Sequence, residues 1–379
     1  MSNNTNYDIA VVGGGLAGLA YAILMARQGY SVLLAEKETY PRHKVCGEYI
    51  SLESRPFLES LGVSVTQLKL PLITKLLLTD TRNTELNARL PQGGFGISRY
   101  MLDELLAGTA AKAGVMLITN TRIDSITYAG DRFTLAAGDR RWTARMACGA
   151  WGKRSNVDVK MQRSFLTEKQ KGLNNYVGIK YHIRYNWPAD TIGLHNFSNG
   201  YCGISRIEDN KTCLCYLTTA ANLKKSGNDI GAMERNILMQ NKWLRNILTD
   251  AEMLYAAPLA ISQISFQQKE QVLDHVLLLG DAAGMITPLC GNGMSMALHA
   301  AKIAAGLTHR YLAGAATRAE TEAAYTQAWK TNFATRTAVG RLVQANFGKD
   351  LTTTLFLRTF KAVPFLQRPL INLTSGREF

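Results

Sequence analysis

Tyr7-Asp8-Ile9-Ala10-Val11-Val12-Gly13-Gly14-Gly15-Leu16-Ala17-Gly18 is the stretch that decides the fold. Residues 7–12 are an apolar, β-branched run and predict a buried strand; an apolar-periodic helix follows the glycines to about Gln28, and residues 31–36 predict a second strand. Together they make a βαβ unit. In Gly13-x-Gly15-x-x-Gly18 the first glycine permits a tight turn, the second lets a pyrophosphate approach the backbone, and the third lets helix and strand pack closely. The helix N-terminus then faces the phosphates. Glu36 closes the second strand 18 residues after Gly18, where a carboxylate accepts ribose hydroxyls and argues against a 2′-phosphate. The expectation is a dinucleotide site.

The composition belongs to a folded chain. Its 379 residues are 46 % hydrophobic and 19 % charged, which excludes a disordered, collagen-like or disulfide-scaffold protein. Six cysteines, none in a CxxC pair and none at zinc spacing with histidine, predict neither a dithiol centre nor a bound metal and fit a reducing, cytoplasmic compartment. Residues 9–26 carry no charge, which reaches the lower limit for a membrane span, but their glycines and the lack of a preceding basic run make them strand, turn and helix. No signal peptide or transmembrane segment is expected. With 43 Lys+Arg against 29 Asp+Glu the formal charge is +14, which favours an anionic partner. No nucleic-acid motif accompanies that charge, so nucleic acid is set aside.

Farther along, residues 102–113 read as a helix, and 123–128, 132–136 and 142–148 as three short strands separated by Ala-Gly-Asp turns. Residues 176–265 are mostly strand-like, with one helix near 231–248. Residues 276–279 are a buried strand, a glycine-rich turn opens a helix over about 291–312, and the remainder is helical. This order predicts an α/β fold, α+β overall. A Rossmann-like nucleotide domain is expected from residues 1–75, 98–172 and 270–330, a β-rich substrate domain from 76–97 and 173–269, and a helical C-terminal segment from 331–379.

Gly280-Asp281-x6-Pro288 and the following Leu289-Cys290-Gly291-Asn292-Gly293-Met294 resemble the second flavin-binding motif of the flavin monooxygenase class that includes aromatic hydroxylases, geranylgeranyl reductases and flavin-dependent halogenases. The resemblance implies FAD, with Asp281 at the ribityl or ribose O3′, Gly280 and Pro288 among the cofactor-binding residues, and the turn and helix N-terminus after Pro288, with Gly291, Asn292, Gly293 and Met294, facing the pyrimidine edge. A helix N-terminus there stabilises negative charge at flavin N1 and O2 on reduction. Pro41-Arg42-x-Lys44-x-Cys46-Gly47-Glu48-x-x-Ser51 looks like the stretch of the reductase and halogenase branches that runs beside isoalloxazine and phosphates, which implies Arg42, Lys44, Cys46 and Gly47 at the cofactor. Gly96-Ile97-Ser98-Arg99-x-x-Leu102-Asp103 is similar to the segment whose arginine meets flavin or pyrophosphate, a task suited to a forked donor. One departure stands out: the family's usual Asp-Gly pair is replaced in Ala150-Trp151-Gly152-x-x-Ser155 by Trp151-Gly152. Direct NAD(P)H docking loses its usual residue, and the electron donor stays open between NAD(P)H and a separate reductase.

Catalytic groups are expected on the β-rich domain, since a flavin brings its own redox chemistry and the protein supplies orientation, electrostatics and exclusion of water. Over residues 176–184, alternation puts Val177, Ile179, Tyr181 and Ile183 on one face and Tyr176, Lys180, His182 and Arg184 on the other. A half-buried antiparallel strand exposes its polar side, so that face is expected in water; turned inward, Lys180 and His182 would donate to a substrate oxygen or a peroxide. His195 and Tyr201 are further wall candidates, and Cys290 is expected near the flavin ring as a small apolar filler. Halogenase branches carry WxWxIP and an active-site lysine; the motif is absent, and Lys75 has no motif around it. The expected function is an FAD-dependent monooxygenase acting on an apolar or aromatic substrate, free or carrier-tethered. A reductase or dehydrogenase of carbon–carbon bonds is the alternative, with a halogenase and a non-catalytic flavin binder ranked lower. Residues 301–379 hold 11 Lys/Arg and 4 Asp/Glu with interleaved Leu and Phe, which reads as helices packed on the flavin domain or as a surface for an acidic carrier protein or a membrane, the latter placing the protein at the membrane periphery.

Overall fold

Asn6–Val12 lies at the centre of a sheet because it is apolar on both faces, with Ile9, Ala10 and Val11 wholly buried. The computed structural model describes residues 5–167 and 175–379. In it the strand pairs in parallel with Val32–Ala35 on one side and Arg140–Gly149 on the other. Met116–Ile118 and Val276–Leu278 extend the parallel array at its two ends, Val272–Leu273 adds an antiparallel edge, and the strands Ser125–Ala129 and Arg132–Ala137 attach to Arg140–Gly149 as a meander. Helix Leu16–Arg27 is apolar nearly all round because it is covered nearly all round, packing against helices Arg99–Lys112 and Gly293–Leu312. Gly18 makes this possible. A Cβ there would run into the carbonyl oxygen of Gly13, itself at φ +105°.

The second sheet runs in the order Glu252–Met253, Tyr176–Arg184, Thr212–Thr219, Gly200–Arg206, Thr191–Phe197, Leu72–Thr79, Glu85–Gly96 and Tyr49–Ser51, with Leu259–Ile264 also paired along Tyr176–Arg184. One face buries Ile179, Tyr181, Ile183 and Tyr216 under the helices Ile230–Asn236 and Lys242–Asp250. Leu78, Leu86 and Leu194 point the opposite way and meet Phe347 and Leu357. Those two residues follow and belong to the C-terminal helices Arg318–Asn346 and Asp350–Ala362.

Pairing moves several expected limits. The boundary at 75/76 falls inside the strand Leu72–Thr79, and Tyr49–Ser51, expected in the nucleotide domain, closes the second sheet. The limit at 330/331 falls inside the 29-residue helix Arg318–Asn346. The one helix expected near 231–248 is two, because the Asn241 side chain accepts from the backbone N–H of Trp243 and Leu244 and starts a new helix. The limit at 172/173 lies outside the described residues. Among those residues no helix is long and apolar enough to cross a membrane.

Replacing Gly18 by Val should lower stability by about 1–3 kcal/mol through overpacking of helix on strand, as measured by urea unfolding, and should reduce the FAD content of the purified protein.

Candidate functional site

The glycine turn is held by three side chains. Gly14 N–H donates to Glu36 Oε2 (2.6 Å), Arg42 donates to the same oxygen (2.8 Å), and the Tyr40 hydroxyl donates to the Gly14 carbonyl (2.6 Å). Burial opposes charge on Glu36, but Arg42 and Lys44 outweigh it and hold the carboxyl below its ordinary range. Two cations stand over Gly15, where an added Cβ would lie 3.5 Å from Lys44 Nζ and 3.7 Å from an Arg99 guanidinium nitrogen. Arg99 is pinned by a fork to the fully buried Asp103 (2.7 and 2.8 Å), with Lys44 Nζ 3.3 Å from the same carboxylate. Burial and the Arg99 charge bring the Lys44 ammonium down to about 8. Nε and Nη1 of Arg42 are buried without a hydrogen-bond partner in the protein. Excess positive charge, unpartnered donors and an open glycine edge fit a dinucleotide pyrophosphate.

Asp281 sits on the turn Gly280–Ala282, which is fastened from below. Fully buried Arg163 pairs with Asp158 and Glu270 (2.9 Å each) and donates to the Ala282 carbonyl (2.8 Å); Lys269 donates to the Asp281 carbonyl (2.8 Å). Burial pushes the Asp281 carboxyl up, against the pull of Lys269 and Arg99. Trp151, the departure noted in the sequence, spends its indole N–H on Asp158 (2.9 Å). Past Pro288, Gly291 takes φ +69°, with the Tyr49 ring 3.0 Å from where a Cβ would stand, and the helix Gly293–Leu312 begins after Asn292. Cys46 Sγ lies 3.7 Å from Met294 Sδ, while Gly47 faces open space. The Cys290 side chain lies outside what is described.

Lys180 and His182 are not in water. Both are buried, because the loop that carries Glu48 covers the polar side of their strand. Glu48, at φ +55°, accepts from Lys180 Nζ (2.5 Å), His182 Nε2 (2.6 Å) and the backbone N–H of Arg99 (2.8 Å). Burial opposes its charge, yet the His182 hydrogen bond and the Lys180 ammonium hold it below the ordinary carboxylate range, and Glu48 in turn raises Lys180 against desolvation. On its other side His182 Nδ1 shares a hydrogen bond with the Tyr255 hydroxyl (2.6 Å), which in turn lies 2.9 Å from His43 Nδ1. Burial and the Lys180 charge lower His43 to about 4. This chain of hydrogen bonds can carry a proton from the exposed Tyr255–His43 pair to the buried Glu48 carboxylate. Cys213 joins Glu48 and His182 in a cluster within 4.8 Å, but the Lys180 ammonium already compensates the carboxylate, so a cation there would face repulsion.

His195 belongs elsewhere. Its Nδ1 is 2.8 Å from Thr79 Oγ1, its ring stacks on Trp243, and burial lowers it to about 3. Its neighbour Leu194 points the other way, into a cavity of about 150 Å³ between the second sheet and the C-terminal helices. Leu76, Leu78, Leu86, Val343, Phe356 and Phe360 form its walls, and one end reaches Tyr49, Gly291 and Asn292. No Asp, Glu, Lys, Arg or His is among its described lining residues. Sequence reasoning missed Asp103, Asp158, Arg163, Tyr255 and the hub role of Glu48. Only Asp103 had a local signal, its i,i+4 spacing from Arg99.

The profile of the FAD binding domain family matches residues 6–335, and the chain belongs to that family. Conditioned medium factor receptor 1 of Dictyostelium discoideum is 25 % identical over 327 residues, 79 % of this chain; the chain spans 62 % of that relative's length. Digeranylgeranylglycerophospholipid reductase 1 of Methanothermobacter thermautotrophicus is 25 % identical over 320 residues, which covers 76 % of this chain and 74 % of the relative. Among solved structures, that of the flavin-dependent brominase Bmp2 superposes with a TM-score of 0.79 at 17 % identity, covering 99 % of this chain and 94 % of the other. It shares the fold.

Two outcomes follow for the charged groups. FAD affinity, read by the fluorescence of released flavin, should be constant below pH 8 and fall as pH rises above it, because binding an anion must then re-protonate Lys44; Lys44→Met should bind more weakly and lose that dependence. Glu48→Gln, which strands the Lys180 ammonium, should cost about 3–5 kcal/mol in chemical unfolding at neutral pH. Because the Glu48 carboxyl is held low in the folded state, the gap to the unaltered protein should close as pH falls below about 4.

Proposed function

We propose that the protein is an FAD-dependent monooxygenase that places one atom of O2 on a neutral apolar or aromatic substrate. The observation that carries this reading is the cavity, which runs from the C-terminal helices to Gly291 and Asn292 with no charged side chain among its described lining residues. Bound FAD would supply two electrons and the activation of O2. Arg42, Lys44 and Arg99 would hold its pyrophosphate, Glu36 the ribose, and Asp281 the ribityl or ribose hydroxyl. Gly280, Gly291, Asn292, Gly293 and Met294 would line the ring with Cys46, Gly47 and Pro288 nearby. The apolar walls orient the substrate and keep water out. His182 and Glu48 lie at the buried end of the hydrogen-bond chain, which would pass inward from solvent the protons that the reduction of the second oxygen atom to water consumes.

Three alternatives are weaker on physical grounds. Hydride delivery to a carbon–carbon double bond leaves a carbon that must be protonated, and the strongest acid on the cavity wall is the Tyr49 phenol, which burial makes weaker still. Halogenase branches use a lysine facing the substrate; Lys75 instead pairs with Asp190 at the surface (2.7 Å), and Lys180 is bound to Glu48. A non-catalytic binder has no use for an apolar cavity that reaches Gly291 and Asn292. The reductase stays as a second reading because of the similarity to digeranylgeranylglycerophospholipid reductase 1. Trp151, engaged with Asp158 where the family's aspartate would stand, favours a separate reductase over NAD(P)H as the electron donor.

The test uses protein reduced with dithionite and offered two probes. A neutral monocyclic phenol under 18O2 should yield product carrying one 18O atom, and Leu194→Asp, which puts a charge in the cavity, should abolish this while FAD remains bound. Saturation of a prenyl alcohol without O2, and no label in the phenol, would establish the reductase instead.

A further inference from the structure

The C-terminal helices have two apolar sides. Phe356 and Phe360 of Asp350–Ala362 face the cavity and Leu357 is wholly buried. Leu351, Leu355 and Arg358, spaced i, i+4 and i+7, form a stripe on the opposite side, and the two leucines are 72 % and 67 % exposed. Phe365, on the turn Pro364–Leu366 after this helix, is 76 % exposed, and Leu342 near the end of Arg318–Asn346 is 67 % exposed. Of the eleven large hydrophobic side chains exposed among the described residues, six fall between positions 342 and 373. The same stretch holds Lys349, Arg358, Lys361 and Arg368, all exposed, against one acid in the sequence. Leu351 and Leu355 stand one helical turn apart beside Arg358, so this side presents neighbouring apolar groups with a basic edge.

We propose that this face docks the protein on an anionic lipid bilayer. The side chains are those of an interfacial helix: Leu and Phe to enter the acyl boundary, and Arg and Lys with long stems whose heads stay at the phosphate level. Charge complementarity selects an anionic surface over a neutral one. The bilayer is favoured over an acidic protein because scattered leucines and a phenylalanine need only an apolar medium, whereas a protein partner needs a shaped pocket for each. The inner faces of the same helices wall the cavity, so an apolar substrate would reach it from the lipid phase. That last step rests on the function proposed above; the docking does not.

Sedimentation of the FAD-loaded protein with vesicles tests the docking without substrate or turnover. The protein should pellet with phosphatidylcholine vesicles containing phosphatidylglycerol, weakly with phosphatidylcholine alone, and less as salt is raised. Arg358→Gln and Lys361→Gln should each weaken the partition about fivefold. Leu355→Ser with Phe365→Ser should weaken it at least as much, and the retained flavin absorbance will show that these exposed substitutions leave the fold intact. Equal binding to both vesicle types, undiminished binding of the leucine–phenylalanine variant, or binding to an acidic carrier protein but to neither vesicle would overturn the proposal.

Discussion

The Glu48 carboxylate is the contact on which the arrangement of the two sheets depends. It sits in a loop between them at a backbone angle that a non-glycine residue adopts only under constraint. One oxygen takes the Lys180 ammonium and the other takes His182, both from the second sheet, while the backbone N–H of Arg99 ties the same carboxylate to the helix whose first guanidinium stands over Gly15. Three charged or polar groups that would each be costly to bury alone are buried together. Their mutual satisfaction ties the glycine turn's surroundings to the second sheet, and the hydrogen bonds to Tyr255 and His43 connect the cluster to solvent.

The cavity holds none of these charges. Lys180 and His182 point toward Glu48, and the other cations near the glycine turn are committed to Asp103 and Glu36 or stand over Gly15. What remains on the cavity side is Leu, Val and Phe, with a few neutral polar groups. Charge is concentrated where the cofactor's phosphates belong and absent where a substrate would sit. Such a division suits chemistry in which the reactive group must be kept from water and the substrate is recognised by shape and burial.

The C-terminal helices complete the second half of that division. Their inner faces supply aromatic wall to the cavity, and their outer faces present leucine, phenylalanine and basic residues in the same few turns. The positive charge of the chain is therefore not one property. Part is gathered around the glycine turn at Arg42, Lys44 and Arg99, and part lies on the exposed side of the C-terminal helices.

The dinucleotide fold was legible in the sequence because its code is local. Gly13, Gly15, Gly18 and Glu36 lie within one βαβ unit, and the turn, the close packing and the acceptor are all dictated by spacing over some thirty residues. The segment from Gly280 to Met294 was read from its resemblance to a family motif, and the structure gives it a short turn and the start of a long helix. Sheet membership was not, since Tyr49–Ser51 and Leu72–Thr79 find their partners by pairing that no local pattern announces. Alternation along Tyr176–Arg184 correctly separated Lys180 and His182 from Val177 and Ile179, yet whether their face met water depended on a loop more than 130 residues away. His195 and Leu194 show the same limit. Adjacent residues on a strand must point oppositely, but only the placing of the C-terminal helices decided that the cavity would form on the leucine's side and leave the histidine in a separate core.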